Sequence, residues 1–250
     1  MIFIRSLLFM LYMGVSALIS GALVILMFWA PFRVRWWMTV KWCRSMVVAG
    51  DWLCGLKVVV EGRENIPDEP SVLMIKHTTA LETYWQVTEF PMATWVVKRE
   101  LLWIPLFGWA IALSLRPIGI NRKAGRAAVK QVIEQGKQRL EDGVWITVFP
   151  EGTRMPAGET RRYGTSGAAL AKAAGVKIVP VAHNAGDFWP RRGFLKRPGT
   201  VRFVIGPPID AQGRSPQETC LVVQDWVEST MNDISSAYQP KKKTADPVDN

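Results

Sequence analysis

The sequence predicts an α/β fold: a mostly parallel or mixed sheet flanked by helices, with an N-terminal membrane-embedded helical element ahead of it. Three observations lead there. From residue 57 onward, short runs rich in Val and Ile alternate with helical patterns, the order that builds a sheet covered on both faces. Before them, Leu7 to Phe32 contains no charged residue. At about 1.5 Å per residue such a run can cross a hydrocarbon core of about 30 Å. The 250 residues suffice for one domain with a substantial core, and no internal repeat or linker divides it.

Taken in order, the first apolar run is too long for a signal-peptide core, and no small-residue cleavage site follows it. Gly14 and Gly21 permit it to bend. Arg5 precedes it; Arg33, Arg35, Lys41 and Arg44 follow, with no acid before Asp51. This bias places the following chain in the cytoplasm. Val34 to Leu56 interleaves Trp36, Trp37, Trp42 and Trp52 with basic residues, which reads as an interfacial helix. A full span and a half-embedded hairpin both remain open. Strands are predicted at Lys57–Glu61, Ser71–Lys76, Ala93–Lys98, Ile118–Asn121, Val144–Phe149, Val176–Val181 and Val201–Ile205. Helices are predicted from Thr79 to Glu89, Arg126 to Leu140 and Ser166 to Ala174. A last one starts at Ser215-Pro216-Gln217-Glu218, with Pro in its first turn, and runs to about Tyr238. The division is 1–56 for the membrane and interfacial helices, 57–238 for the α/β domain and 239–250 for a polar, disordered tail.

The formal net charge of +10 and pI of about 9.8 point to anionic partners, either nucleic acid or a membrane surface. Twelve Trp residues favour the membrane, where the indole ring suits the interface. The apolar segment and the lack of a nucleic-acid motif count against nucleic acid. Cys43, Cys54 and Cys220 form no disulfide framework or paired site, consistent with a reducing compartment.

Two short motifs carry chemistry. His77 stands where the strand Ser71–Lys76 stops, at a strand-to-helix turn, where open α/β sheets bind ligands. Thr79 with Glu82 three residues on is a capping-box pattern. If both His77 and Glu82 were helical they would sit about 140° apart. If His77 lies outside the helix and Glu82 in its first turn, they can meet. Glu82 as a simple cap and His77 as a satisfied core histidine are the plainer alternatives. The second motif, Phe149-Pro150-Glu151-Gly152-Thr153-Arg154, follows another strand pattern. Pro150 ends the ladder, Gly152 permits a tight turn, and Arg154 offers a planar fork suited to phosphate. An exposed Glu–Arg pair on a loop is the plainer reading.

Together, His-x4-acid and Phe-Pro-Glu-Gly-Thr-Arg resemble the glycerolipid acyltransferase family, which includes the 1-acylglycerol-3-phosphate acyltransferases. Lys98 to Gly108 and Arg116-Pro-Ile-Gly-Ile-Asn-Arg122 resemble its second region, and Val179-Pro180-Val181-Ala-His-Asn its fourth. The likeness spans roughly Val58 to Pro208. One departure is Glu82, where the family most often has Asp.

The resemblance implies a membrane-associated O-acyltransferase. It would move a fatty acyl group from a thioester donor to the 2-hydroxyl of 1-acyl-sn-glycerol 3-phosphate, giving phosphatidic acid at a bacterial-type inner membrane, with its catalytic domain on the cytoplasmic side. His77 is then the general base and Glu82 fixes its tautomer. Arg122 and Arg154, with Lys98 close behind, hold the acceptor phosphate, and Glu151, Gly152 and Thr153 complete that loop. Backbone N–H groups near Gly152 or Thr78 are the candidate oxyanion donors. No Gly-x-Ser-x-Gly elbow or reactive Cys motif stands in the chain, so a direct displacement is preferred to an acyl-enzyme. No cofactor is expected beyond acyl-CoA or acyl-acyl carrier protein as co-substrate. No metal is expected either, because no spaced His/Cys set supports one, and His183 is read as structural. Arg161, Arg162, Arg191, Arg192, Lys196 and Arg197 face headgroups, coenzyme A phosphates or solvent. The alternatives are another lysophospholipid or glycerol 3-phosphate as acceptor, or a non-catalytic lipid-binding protein.

Overall fold

The structure, a computed structural model, describes residues 1–121 and 124–238. Arg122 and the predicted tail 239–250 lie outside the described residues. The chain opens with two antiparallel helices, α1 (Ile2–Leu26) and α2 (Phe32–Cys54). α1 runs unbroken through Gly14 and Gly21, and Gly21 packs closely against Leu106 and Ala110.

Neither helix has a basic residue in its own last turn. Each instead receives one from the start of the other. Arg5 of α1 donates to the carbonyls of Leu53 and Trp52 at the end of α2. Arg35 of α2 donates to Phe28 and Ala30 after α1, and to Leu113 at 3.0 Å. A guanidinium on orphan C-terminal carbonyls satisfies their lone pairs and complements the helix dipole. Arg35 is therefore buried, not part of a solvated basic stripe. α2 has a buried and an exposed side. It packs between α1, α3 and β1, burying Trp36, Thr39, Cys43 and Met46, while Trp37 and Trp52 remain exposed.

Seven strands follow: β1 (Leu56–Glu61), β2 (Val72–Ile75), β3 (Ala93–Lys98), β4 (Ile118–Ile120), β5 (Trp145–Val148), β6 (Ile178–His183) and β7 (Gly199–Ile205). They form one sheet in the order β1-β7-β6-β2-β5-β3-β4. All neighbours are parallel except β6 and β7, so the mixed, mostly parallel sheet read from the sequence is observed. The helices are α3 (Leu81–Glu89), α4 (Phe107–Leu115), α5 (Arg126–Glu141), α6 (Ser166–Ala174), the short α7 (Ala185–Phe188) and α8 (Pro216–Ile234). α8 carries the expected capping box, with Ser215 and Glu218 bonded reciprocally. It stops at Ile234, short of Tyr238, because Ser235 and Ser236 turn aside to bond the Asp187 carboxylate.

The strand period of two divides the core. Leu73 and Ile75 of β2 face a cluster with Phe9, Trp36, Trp85 and Phe203, under α1 to α3. Val72 and Met74 face the other side, with Val132, Leu170, Val223 and Val227 of α5, α6 and α8. Both faces are covered, which is why the strands read as continuous apolar runs.

Candidate active site

Strands β2, β5 and β3 are parallel neighbours, so their carboxyl ends share one edge of the sheet. Met74 of β2 pairs with Val148 of β5. Each chain then continues the same distance to reach His77 and Glu151. The two motifs, far apart in sequence, become neighbours through strand register.

His77 lies outside α3 and Glu82 in its first turn, the arrangement that lets them meet. His77 Nδ1 is 2.8 Å from Glu82 Oε1. The same oxygen accepts the backbone N–H of Thr78 at 3.0 Å and of Thr79 at 2.9 Å, and Oε2 accepts the Thr79 hydroxyl. Thr79 Oγ1 in turn accepts from Leu81 N at 2.9 Å. The expected capping box is not formed, since the N-cap of α3 is Ala80 with no side-chain cap bond; Glu82 instead accepts the N–H groups of the turn ahead of the helix while it holds the imidazole. Its carboxyl is fully buried, which alone would raise its pKa. The His77 hydrogen bond and the other donors prevail and hold it at about 2. A carboxylate only accepts, so the proton between the pair sits on Nδ1, and the Nε2 lone pair is left for a substrate. Nε2 makes no hydrogen bond among the described residues. The ring stacks on Phe149, 4.0 Å between centroids.

The loop after β5 grips His77 from both sides. Glu151 Oε2 accepts the His77 N–H at 3.1 Å, and Met155 N donates to the His77 carbonyl at 2.7 Å. The Glu151 side chain is wholly buried and acts on the backbone of His77. Its Oε1 takes the Lys76 ammonium at 2.9 Å, and Lys76 also binds Glu228 of α8 at 2.9 Å. One ammonium serves two carboxylates. Burial outweighs it at Glu151 and pushes that carboxyl up to about 7. At Lys76 burial works against the charge, but Glu151 and Glu228 prevail and raise the pKa. Tyr163 and Thr160 also donate to Glu228. Sequence reading missed this cluster. Its one signal was a lysine closing an otherwise buried strand.

Gly152 has φ +69°, the left-handed region, and its N–H closes a turn onto Phe149 O at 2.9 Å. Thr153 Oγ1 accepts from Arg191 at 3.2 Å. The half-buried Arg154 makes no hydrogen bond or ion pair among the described residues. Lys98 stands exposed at the end of β3, on the same sheet edge but not on the cavity wall. Of the backbone N–H groups in the two turns, that of Thr78 donates to Glu82 and that of Gly152 to Phe149. His183 is structural in its bonding. Nε2 donates to Lys76 O at 2.7 Å, Nδ1 accepts from Ala185 N, and burial lowers its pKa. Lys196, read as a surface charge, is buried.

His77, Phe149 and Arg154 open onto one cavity of about 360 Å³. Its remaining wall is mainly apolar and comes from α1, α2, β3 and α4, including Leu18, Trp42, Val97 and Ile111. An imidazole and a guanidinium thus line one mainly apolar cavity.

The chain is similar to known proteins over most of its length. A family model described as Acyltransferase matches residues 57–184. A Pseudomonas aeruginosa protein named 1-acyl-sn-glycerol-3-phosphate acyltransferase is 41% identical, over 94% of this chain and 93% of its own. The human 1-acyl-sn-glycerol-3-phosphate acyltransferase alpha is 29% identical over 72% of this chain and 64% of its own. The crystal structure of PlsC, the 1-acyl-sn-glycerophosphate (LPA) acyltransferase of Thermotoga maritima, superposes with a TM-score of 0.75 at 26% identity, covering 93% of this chain and 97% of that one.

Proposed function

The chain belongs to the acyltransferase family, and from that premise we propose that it acylates the 2-hydroxyl of 1-acyl-sn-glycerol 3-phosphate to give phosphatidic acid. The observation that carries this reading is the slot shared by His77 and Arg154. His77 Nε2 takes the proton of the acceptor hydroxyl as its oxygen attacks the thioester carbonyl. Glu82 steadies the imidazolium that forms. The tetrahedral intermediate collapses, the C–S bond breaks, and the leaving thiolate recovers the proton from His77. The acceptor phosphate pairs with Arg154, whose fork has no hydrogen bond or ion pair among the described residues. The acyl chain lies in the apolar slot. The donor is a thioester of coenzyme A or acyl carrier protein.

The enzyme works at a membrane surface. α1 is 25 residues long with mean hydropathy 2.2 over its best window, enough by length and composition to cross a bilayer. Its attachments argue against crossing. Near one end Lys196 N donates to Ser6 Oγ at 2.9 Å, and near the other Gly21 meets α4. A helix bound to the α/β body at both ends would draw that body through the lipid if it spanned. It lies along one leaflet, with Leu11, Val15 and Ile19 outward. The exposed Arg33, Lys41 and Arg44 suit the anionic surface of a cytoplasmic leaflet.

The test is acyl transfer by the purified protein in lipid over a panel of acceptors: 1-acylglycerol 3-phosphate, glycerol 3-phosphate and other lysophospholipids. His77→Ala should abolish transfer with its thermal melt unchanged. Equal activity without the imidazole, or preference for an acceptor lacking phosphate, overturns the reading.

A further inference from the structure

The loop Pro190-Arg-Arg-Gly-Phe-Leu-Lys-Arg-Pro198, between α7 and β7, is built in an unusual way. Its apolar residues point out and one of its cations points in. Phe194 and Leu195 are 38% and 41% exposed, while Lys196 is 2% exposed. The Lys196 ammonium donates to the loop's own carbonyls, Phe194 O at 2.7 Å and Gly193 O at 3.4 Å, and lies over the Trp189 ring. Its backbone N–H binds Ser6 of α1. Lys196 is thus an internal strut that folds the loop and fastens it to the start of α1. The strut holds Phe194 beside Phe3, ring centroids 5.2 Å apart, so the loop extends the exposed apolar face of α1. Arg192 and Arg197 flank the two apolar residues and are exposed. Arg191 turns the other way and donates to Thr153, next to Arg154.

We propose that residues 190–198 form a second membrane-docking element, specific for a leaflet rich in anionic headgroups. It rests on the reading of α1 as an in-plane helix and adds to it. Phe194 and Leu195 enter the boundary between headgroups and acyl chains, where an apolar body beside cations is at home. Arg192 and Arg197 meet lipid phosphates, in keeping with the chain's charge of +10. Because Arg191 ties the same loop to Thr153, docking sets the depth at which Arg154 meets the phosphate of a bilayer-borne acceptor.

The experiment titrates full-length protein, and the variants Phe194→Ser/Leu195→Ser and Arg192→Ala/Arg197→Ala, with phosphatidylcholine vesicles containing no anionic lipid or about one third phosphatidylglycerol. Binding is read by flotation, and acyl transfer by KM for vesicle-borne and detergent-dispersed acceptor. The apolar pair should weaken partitioning about tenfold on both vesicle types. The arginine pair should weaken it about tenfold on anionic vesicles only. Both should raise KM for vesicle-borne acceptor and leave kcat in detergent at the parental value. If the apolar variant fails to fold, the arginine pair, on exposed positions, decides alone. Parental binding by the variants overturns the docking role while leaving α1 as the anchor. Failure of the parent to bind either vesicle overturns the in-plane reading and this inference with it.

Discussion

Replacing Glu82 with Gln separates the charge of the orienting carboxyl from its geometry. Oε1 accepts from His77 Nδ1, Thr78 N and Thr79 N, so the amide oxygen of Gln must take that position. An NH2 group there would face three donors. At the Oε2 position the amide NH2 can donate to Thr79 Oγ1, and the Thr79 N–H gives up its 3.1 Å contact there but keeps its bond to the Oε1 position. The variant therefore keeps the imidazole tautomer and the start of α3 while losing the charge. The Glu82 carboxyl is held below its ordinary pKa, so the site prefers the anion, and a hydrogen bond to a charged group contributes about 1.5–3 kcal/mol. If that preference is spent on the imidazolium formed during transfer, kcat falls about 10²-fold, with KM for both substrates nearly unchanged. A folding effect is excluded by comparing urea midpoints, and steady-state rates near pH 7.5 read the chemistry. A kcat within threefold of the parent would refute the electrostatic role of Glu82 and leave it as an acceptor for the N–H groups of the turn.

Lys76→Met strips the buried Glu151 and the half-buried Glu228 of their ammonium and should cost about 3–5 kcal/mol. The loss depends on pH. Glu151 already has its pKa raised to about 7 in the folded state, and the variant raises it further. The native form then holds a proton that the unfolded chain releases, so stability is lost as pH rises. Urea unfolding should show little deficit near pH 5 and the full deficit near pH 9; a pH-independent deficit contradicts the cluster. Arg35→Met leaves the carbonyls of Phe28, Ala30 and Leu113 without their donor, and at about 1 kcal/mol each should cost about 2–4 kcal/mol, seen as a lower Tm. Arg154→Ala should raise KM for the acceptor about 10- to 100-fold with little change for the thioester; equal losses for both substrates would remove it from the phosphate site.

Much of this protein is legible along the chain because it depends on neighbours in sequence. The alternation of strands and helices, the apolar first helix, the capping box at Ser215 and Glu218, and the five-residue step from His77 to Glu82 are local patterns, set by backbone geometry and side-chain period. They suffice to nominate His77, Glu82 and Arg154. What they could not decide is where charge goes when the chain closes. Glu151 carries a phosphate-loop pattern, yet its carboxylate turns inward because β2 and β5 pair in a register that sets it against Lys76 and His77 N. Glu228, 152 residues from Lys76, joins them from a helix on the far side of the sheet. Arg35 and Lys196 read as surface cations and are buried, since helix ends and a tight loop supply carbonyls that only the assembled fold brings together. Desolvating a charge is costly unless partners await it. Those partners lie far apart in sequence, so three-dimensional packing alone determined which of the basic and acidic residues face a substrate and which hold the framework still.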